Sequence, residues 1–255
     1  MKKLIRFLLQ HIPRPILISL SMVMGRAVSV FYRGHRYECP VCNGKFRKLL
    51  PYGYIEPRTN ALCPGCLSLE RHRLMWLYLK NRTGFFSNHL KVLHIAPEQC
   101  FYKRFRKMKS IDYTTADLES PLADVRLDVQ SMPFTDDHFD MVICNHVLEH
   151  VPDDHKAISE IFRVLKRGGI AILQVPLVYS MEKTLEDPRI TDPLEREKLF
   201  RQKDHYRLYG TDYLDRIMNA GFVIGEENYL KTLSKEEIDR YRLPPMEFMY
   251  GYIKP

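Results

Sequence analysis

Short apolar runs alternate with amphipathic stretches from residue 90 onward. The apolar runs predict seven strands, at 90–96, 112–118, 124–128, 139–145, 169–176, 222–229 and 247–253. The amphipathic stretches predict helices at 98–109, 153–167 and 211–220. Strands separated by helices are typical of a parallel sheet that is covered on both faces. Only about twenty residues separate the last two strands, which allows the last strand to be antiparallel.

The first thirty residues contain an apolar stretch that is too short to cross a membrane. It runs without a charge from Pro15 to Gly25, whereas a spanning helix needs about 20 apolar residues. Arg26 stands where a signal peptide would need a small residue for cleavage. We therefore expect 1–34 to be an amphipathic segment that packs on the protein or lies on an anionic membrane surface. A cytoplasmic protein, with or without peripheral membrane contact, is the expectation.

Four of the six cysteines form two C-x2-C pairs. Cys39 and Cys42 belong to CPVC, and Cys63 and Cys66 belong to CPGC. A two-residue gap lets one tight turn direct both thiolates at a single ion, and four thiolates make a closed, structural zinc site. Two disulfides are the alternative, but they require an oxidising compartment. We assign 35–83 to a zinc-ribbon module that includes a linking helix over 68–82.

Charge is distributed unevenly along the 255 residues. The chain carries a net charge of +8, with 21 Lys and Arg against 4 Asp and Glu in residues 1–110. Residues 111–255 carry 18 against 27. The basic front half suggests an anionic partner such as nucleic acid, a membrane surface or a phosphorylated substrate, or else a solvated basic face.

The middle of the chain resembles a known enzyme family. The runs DVRLDVQSMPFTDDHFDMVICNHVLEHVPD and EIFRVLKRGGIAILQVP, followed by YGTDYLDRIMNAGF, are similar to class I S-adenosylmethionine-dependent methyltransferases of the type 11 group. The resemblance implies a Rossmann-like α/β domain over 84–255, with a seven-stranded, mostly parallel sheet and an antiparallel last strand. It also implies S-adenosylmethionine as cofactor.

By this resemblance, two carboxylates position the cofactor. Asp117, with Leu118 beside it, matches the acid that holds the ribose hydroxyls, since a carboxylate can accept two hydrogen bonds from a diol. Asp128 matches the acid that accepts from the adenine amino group, with Val129 next to the ring. Asn145 ends the fourth strand, next to the expected position of the sulfonium.

The first loop departs from the family pattern. An acid followed by a glycine-rich turn is normal there, whereas this chain reads His94-Ile95-Ala96-Pro97-Glu98. Glycine permits positive φ and close backbone approach, and proline lacks an N–H donor. We expect His94, Ala96 and Glu98 to form a variant cofactor loop, with Glu98 accepting from the α-amino group. A subgroup of these methyltransferases resembles this chain in having an HIAPE loop.

Residues 177–210 are too long for a plain connection and predict a lid or substrate-binding insertion. The insertion ends with Asp204 and His205, an adjacent pair that can supply a general base. His146, which ends the fourth strand, is the other candidate on the acceptor side. A metal site in NHVLEH is disfavoured, because no third ligand is evident in the sequence.

Three functions remain open from the sequence. The first is methyl transfer to a small-molecule or saccharide-type acceptor, which the long insertion and the amphipathic N-terminus favour. The second is an rRNA or tRNA methyltransferase that binds RNA through its basic zinc-ribbon half. The third is a non-catalytic adaptor that retains the fold without the cofactor, which the glycine-free loop would explain.

Overall fold

The computed structural model describes residues 24–25, 27–53, 57–120, 123–225 and 228–255. These residues form two compact units. The first holds the described residues up to Phe86 together with Glu98–Lys107 and Leu230–Glu247. The second holds Ser87–Pro97, Met108–Tyr229 and Phe248–Pro255. The predicted segment 1–34 therefore lies mostly outside the described residues.

The first unit combines two β-hairpins with α-helices. Strands β1 (Arg33–Glu38) and β2 (Lys45–Phe46) pair antiparallel, as do β3 (Leu50–Tyr52) and β4 (Arg58–Leu62). Cys39 and Cys42 lie in the turn of the first hairpin, and Cys63 and Cys66 follow the second hairpin. The helices of this unit include Glu70–Arg82, Gln99–Phe105 and Lys235–Tyr241, and residues 27–31 are also helical.

Stacked aromatic rings fill the core of the first unit. Phe101 and Phe105 are completely buried, with ring centroids 5.2 Å apart. Trp76 stacks on both rings at 6.0 Å. The aromatic residues of the basic stretch FYKRFRKMK thus contribute to the core, and Phe101 and Phe105 are unavailable for stacking on nucleic-acid bases.

The second unit is built on a seven-stranded sheet. Its strands are β5 (Leu90–Ile95), β6 (Ile111–Asp117), β7 (Val125–Arg126), β8 (Phe139–Asn145), β9 (Leu165–Gln174), β12 (Val223–Ile224) and β13 (Tyr252–Ile253). Their order across the sheet is β12-β13-β9-β8-β5-β6-β7, and only β13 runs antiparallel to its neighbours. The predicted fold, a mostly parallel Rossmann-like sheet with an antiparallel last strand, is confirmed.

Apolar side chains of the central strands pack against helices Asp154–Val164 and Tyr213–Asn219. Ala157, Ile158 and Ile161 are fully buried on the first of these helices. Asp153 begins that helix by accepting a hydrogen bond from the Lys156 backbone N–H, as an N-cap residue does. The core thus lies between the sheet and these helices.

The last two strands are much shorter than the apolar runs predict. The runs 222–229 and 247–253 are regular only at Val223–Ile224 and Tyr252–Ile253. Backbone hydrogen bonds continue beyond them, from Gly225 N to Gly251 O and from Tyr229 N to Met249 O. The Asn228 side chain accepts the Met249 N–H, which interrupts the regular ladder. The two predicted strands were therefore too long, because the Asn228 side chain takes the place of a backbone acceptor between them.

The helix predictions were also too long at their ends. The predicted helix 153–167 ends at Val164, where β9 starts without a connecting loop. Within the insertion, the structure contains helix Pro193–Phe200, which ends where Arg201 adopts a left-handed φ of 71°. The short strands β10 (Leu185–Glu186) and β11 (Arg207–Leu208) pair antiparallel on either side of that helix. Among the described residues, no helix is long and apolar enough to cross a membrane.

Candidate functional site

The four paired cysteines converge in the first unit. Their Sγ atoms lie within 4.8 Å of one another, with Cys39 to Cys66 at 3.6 Å and Cys42 to Cys63 at 3.7 Å. A tetrahedral zinc ion with bonds of about 2.3 Å requires sulfur atoms about 3.8 Å apart. A disulfide needs about 2.05 Å, and none of the six cysteines forms one. The predicted metal ligands therefore have the spacing of a tetrahedral metal site, and we call them the four-cysteine cluster.

The two C-x2-C turns have the same backbone geometry. In the first, Asn43 N donates to Cys39 O at 2.8 Å; in the second, Leu67 N donates to Cys63 O at 2.9 Å. Asn43 and Leu67 both adopt left-handed φ values, 57° and 61°. A left-handed leucine is unfavourable by roughly 1–2 kcal/mol. This conformation brings both thiols of the turn close to the thiols of the other pair.

Two residues that the sequence did not single out support the cluster. Ser68 is fully buried, and its Oγ lies 3.3 Å from Cys39 Sγ and 3.2 Å from Cys66 Sγ. The fully buried Arg73 donates to four backbone oxygens, those of Ala61, Ser68, Tyr241 and Arg242. A buried guanidinium beside four thiols would offset the negative charge of a metal–thiolate centre. Its only sequence signal is an arginine at a position where the helix is otherwise apolar.

In the second unit, the predicted cofactor residues share one edge of the sheet. Strand β5 lies between β6 and β8, with Ile95 opposite both Ala116 and Cys144. The next residue of each strand is Ala96, Asp117 or Asn145, so these three residues end neighbouring strands at their carboxyl ends. Ligands of open α/β sheets bind at this edge. The sequence prediction for these three residues thus agrees with their placement, although the structure does not test their role.

The loop after β5 has the backbone conformation that glycine usually adopts. Ala96 has a φ of 49°, and its N–H donates to Ala116 O at 2.8 Å. The side chain of His94 is buried, and its Nδ1 lies 2.8 Å from the Tyr113 hydroxyl. Glu98 belongs to the first unit, where it precedes helix Gln99–Phe105, and its Oε1 lies 4.0 Å from His72 Nε2. The tight turn is therefore present without glycine.

Asp117 has one carboxylate oxygen held and one available. Its Oδ1 accepts from the backbone N–H groups of Glu119 and Ser120, at 2.9 and 2.8 Å. Within the described chain, these are the hydrogen bonds of this carboxylate, so Oδ2 can accept from a ligand hydroxyl. Leu118 is 56% exposed beside it. The donor set fits a ribose diol at this position.

Asp128 is held in a different way. Both of its carboxylate oxygens accept from Gln130 Nε2, at 3.1 and 3.0 Å, and Gln130 Oε1 in turn accepts from Asp153 N. Val129 is buried in the core. Asp128 thus ties its turn to the start of helix Asp154–Val164, while its Oδ2, which accepts a single hydrogen bond from Gln130, retains capacity to accept another. The adenine role predicted for Asp128 and Val129 stays a prediction.

A cluster of polar side chains is buried next to the end of β8. Glu149, His150 and His205 each offer one possible ligand atom, and these atoms lie within 4.8 Å of one another. Glu149 and His205 are only 2% and 3% exposed. We call these three residues the Glu–His–His cluster. His205 comes from the far end of the 177–210 insertion, so the third partner that the sequence could not reveal is supplied by the fold.

Asp204 and His205 have different partners, and their predicted role as a general base stays a prediction. Asp204 extends to His150, with its Oδ2 3.1 Å from His150 Nδ1, and its own side chain is 69% exposed. His205 Nδ1 lies 3.0 Å from Phe200 O, which orients the ring and leaves Nε2 facing the cluster. Burial lowers the pKa of His205, and the neighbouring His150 adds to this effect.

His146 is placed between the strand end and the cluster. It has a φ of 52°, its N–H donates to Gln174 O at 2.7 Å, and its Nδ1 lies 3.4 Å from Glu149 Oε1. His146 Nε2 and Gln174 Nε2 are buried and make no hydrogen bond with any described residue. Unsatisfied buried polar atoms are costly, and they therefore point to an absent ligand group.

The insertion is fastened to this site by a buried arginine. Arg207 donates to Leu148 O, Val151 O and Pro152 O, and it forms an ion pair of 2.8 Å with Glu186. The backbone N–H of Tyr206 donates to Glu149 O. These bonds fix the segment that carries His205 against the turn that carries Glu149.

Part of the chain is similar in sequence to known methyltransferases. Residues 83–173 match the family model of a methyltransferase domain. An uncharacterized methyltransferase of Bacillus subtilis, YcgJ, is 43% identical over 44 residues, 17% of each chain. A ubiquinone/menaquinone biosynthesis C-methyltransferase, UbiE, of Vibrio campbellii is 38% identical over 64 residues, 25% of this chain and 23% of that protein. The chain thus aligns with less than a quarter of the length of these relatives.

Solved structures with a similar fold include two methyltransferase-family proteins. An S-adenosylmethionine-dependent methyltransferase from Mesorhizobium loti is 14% identical, with a TM-score of 0.46 over 71% of this chain and 97% of that chain. The Bacillus subtilis YcgJ structure is 18% identical, with a TM-score of 0.43 over 71% and 96% of the two chains.

Proposed function

We propose that this protein, which carries a methyltransferase domain of the class I fold, transfers a methyl group from S-adenosylmethionine to a small-molecule or saccharide-type acceptor. The observation that carries the proposal is the alignment of Ala96, Asp117 and Asn145 at the carboxyl edge of the parallel strands. When bound, S-adenosylmethionine supplies an activated methyl group for in-line displacement.

The chain's own residues would bind and orient the cofactor. Asp117 Oδ2 would accept from the ribose hydroxyls, while its Oδ1 remains fixed by two backbone N–H groups. Ala96, with its small side chain and left-handed φ, would let the backbone approach the methionine portion. Asn145 would lie next to the sulfonium. His94 would support the loop from the core.

On the acceptor side, the buried polar groups favour a compact acceptor. His146 and His205 each carry a buried Nε2 that makes no hydrogen bond within the described chain. Either imidazole could take the proton of an acceptor hydroxyl, and the insertion would exclude water from the reacting groups. Asp204 would act indirectly, by orienting His150.

In the first unit, we propose that the four-cysteine cluster holds a structural zinc ion. The support is the sulfur spacing and the closed set of four thiol ligands, which leaves no position for a substrate.

Titration calorimetry with S-adenosylmethionine and S-adenosylhomocysteine tests the cofactor assignment. We expect micromolar binding, weakened roughly 10- to 100-fold by Asp117→Ala because a charge-assisted hydrogen bond is removed. Asp112→Ala is the matched control, because Asp112 is exposed at the opposite end of the same strand. Absence of binding at millimolar ligand would contradict the proposal and favour a non-catalytic adaptor.

A second candidate acceptor is RNA, and a basic cleft in the first unit favours it. The cleft has a volume of about 640 Å³ and is lined by five cations and no carboxylate: Arg33, Lys45, Lys103, Arg104 and Lys107. Within the part of the chain that the structure describes, none of the five forms an ion pair. Phosphate groups are natural partners for such a set.

Labelled RNA distinguishes this candidate from the first. If the cleft binds RNA, the double substitution Lys103→Glu, Arg104→Glu weakens RNA binding. The slope of log binding constant against log salt concentration also becomes shallower, by roughly one unit for each phosphate that is no longer neutralised. Lys80→Glu, on an exposed position of another helix of the same unit, is the control. Equal binding by both variants would contradict an RNA role.

Anionic vesicles, tested in parallel, probe the proposed peripheral membrane contact.

A further inference from the structure

The Glu–His–His cluster has the ligand set of a metal site. Two imidazoles and one carboxylate, from Glu149, His150 and His205, present their ligand atoms within 4.8 Å of one another. Two histidines and a glutamate are a common set for a catalytic zinc ion, and two histidines with one carboxylate also suit iron(II). A zinc ion with bonds of about 2.0 Å requires ligand atoms about 3.3 Å apart. The three ligand atoms lie within 4.8 Å of one another, so binding of the ion requires them to approach by up to about 1.5 Å.

Both histidines are already oriented by their second ring nitrogen. His150 Nδ1 lies 3.1 Å from the Asp204 carboxylate, and His205 Nδ1 lies 3.0 Å from Phe200 O. If each Nδ1 carries the hydrogen and donates it, each Nε2 is left with a lone pair. Metal-binding histidines characteristically donate their other N–H to a carboxylate or a backbone carbonyl. The partner is a carboxylate for His150 and a backbone carbonyl for His205, and each partner orients its imidazole ring.

Two of the atoms that could bind the ion have no hydrogen-bond partner among the described residues. Glu149 Oε2 and His205 Nε2 are both buried, and neither makes a hydrogen bond with a residue that the structure describes. His146 Nδ1 lies 3.4 Å from the other carboxylate oxygen of Glu149, Oε1. Leaving a carboxylate oxygen and an imidazole nitrogen buried and unsatisfied is unfavourable, and a cation would satisfy both.

We propose that Glu149, His150 and His205 bind a divalent first-row metal ion, zinc in the first instance, at a site separate from the four-cysteine cluster. Three protein ligands leave one coordination position open. An oxygen of the acceptor could take that position; this role rests on the proposed methyl transfer, whereas the binding of the metal does not.

Cobalt(II) titration of the 255-residue protein, loaded beforehand with one equivalent of zinc, tests the proposal without any methyl donor. We expect one further equivalent of cobalt to bind, with visible absorption of a nitrogen and oxygen site and without thiolate-to-metal charge transfer. His205→Ala should weaken this binding roughly 100-fold or more, and Asp204→Ala by roughly 10-fold, since removing an outer partner costs less than removing a ligand.

The controls separate loss of the site from loss of the fold. His155→Ala removes an exposed histidine on the neighbouring helix and should leave cobalt uptake unchanged. His150→Ala, at a position about one-third exposed, provides a second ligand variant if His205→Ala does not fold. Circular dichroism reports folding for each variant. The proposal is overturned if the wild-type protein takes up no cobalt, or if a folded His205→Ala or His150→Ala variant keeps wild-type affinity.

Because the titration contains no S-adenosylmethionine, its outcome is independent of the cofactor experiment. Cobalt uptake without cofactor binding would retain the metal site and reject methyl transfer. Cofactor binding without cobalt uptake would retain methyl transfer and reject the metal site, leaving the histidines as proton acceptors.

Discussion

In both the four-cysteine cluster and the Glu–His–His cluster the possible ligand atoms lie within 4.8 Å of one another, but the two clusters differ in almost everything else. The four cysteines come from two short turns of identical local geometry. The glutamate and histidines come from a strand-end turn and from an insertion about fifty residues later. The first set consists of four soft ligands and is closed. The second contains three harder ligands and is open.

This contrast indicates a division of labour. The proposed zinc ion would be held by a closed thiolate site and would stabilise the unit that contains the short hairpins. An open site beside the strand ends lies where ligands bind in this class of fold. The following predictions test how far the two regions differ, from the largest expected effect to the smallest.

Removing one thiol should destroy the first unit. We expect Cys39→Ser to lose the metal and to expose 33–86 to amide hydrogen exchange, since zinc binding contributes on the order of 10 kcal/mol to the folding of small zinc domains. Cys144→Ala, a buried cysteine of the second unit, is the control and should retain the full metal content. Full protection of the hairpins in Cys39→Ser would contradict a structural role for the metal.

Replacing the buried arginine should damage the same unit less severely. Arg73→Met leaves four backbone oxygens without their donor, and we expect a loss of roughly 3–5 kcal/mol in the free energy of unfolding. Urea denaturation measures it. Lys80→Met, an exposed position on the same helix, should change stability by less than about 0.5 kcal/mol. A similar effect for both would mean that the carbonyls find other donors.

The two regions should respond to pH in opposite directions. Burial raises the pKa of Glu247, in the first unit, to about 7, although Arg71 opposes this effect. A folded-state pKa above the unfolded value contributes stability that is present below about pH 4.5 and is lost as the pH rises through about 7. Glu247→Gln should therefore stabilise the protein at pH 8 by about 1–3 kcal/mol and have little effect at pH 5.

Glu186, in the second unit, provides the contrast. Burial raises its pKa, but its ion pairs with Arg216 and Arg207 outweigh burial and hold the pKa below the usual value. The stability from this group is present above about pH 4.5 and is lost as the pH falls through the folded-state pKa. Thermal unfolding of Glu186→Gln should thus differ from the wild type at pH 6 and converge with it in acid. Parallel pH profiles for both glutamine variants would refute the contrast.

The smallest effect concerns the glycine-free loop. Ala96→Gly should stabilise the second unit by about 1 kcal/mol, because glycine relieves the left-handed φ of 49°. Ala157→Gly, inside helix Asp154–Val164, should have the opposite sign and a similar size. Differential scanning calorimetry compares them. Destabilisation by both substitutions would mean that the Ala96 methyl group makes contacts that outweigh the strain.

Much of the fold was readable in the sequence because its signals are local. The alternation of apolar runs with amphipathic stretches predicted the parallel sheet, and the resemblance supplied its antiparallel last strand. The spacing of Cys39, Cys42, Cys63 and Cys66 predicted the four-cysteine cluster. Strand-end positions such as Asp117 and Asn145 were also predictable, because the register of a parallel sheet brings the ends of neighbouring strands together.

Only the tertiary structure decided which polar side chains meet. Asp204 and His205 are neighbours in the sequence, whereas the fold places Asp204 beside His150 and His205 near Glu149. It also gave Asp128 a partner in Gln130 and gave Ala96 a conformation reserved mainly for glycine. Local chain geometry determines elements and short-range ligand pairs. The contacts of a side chain across fifty residues depend on how an insertion is fastened, here by Arg207, and no periodicity in the sequence encodes that.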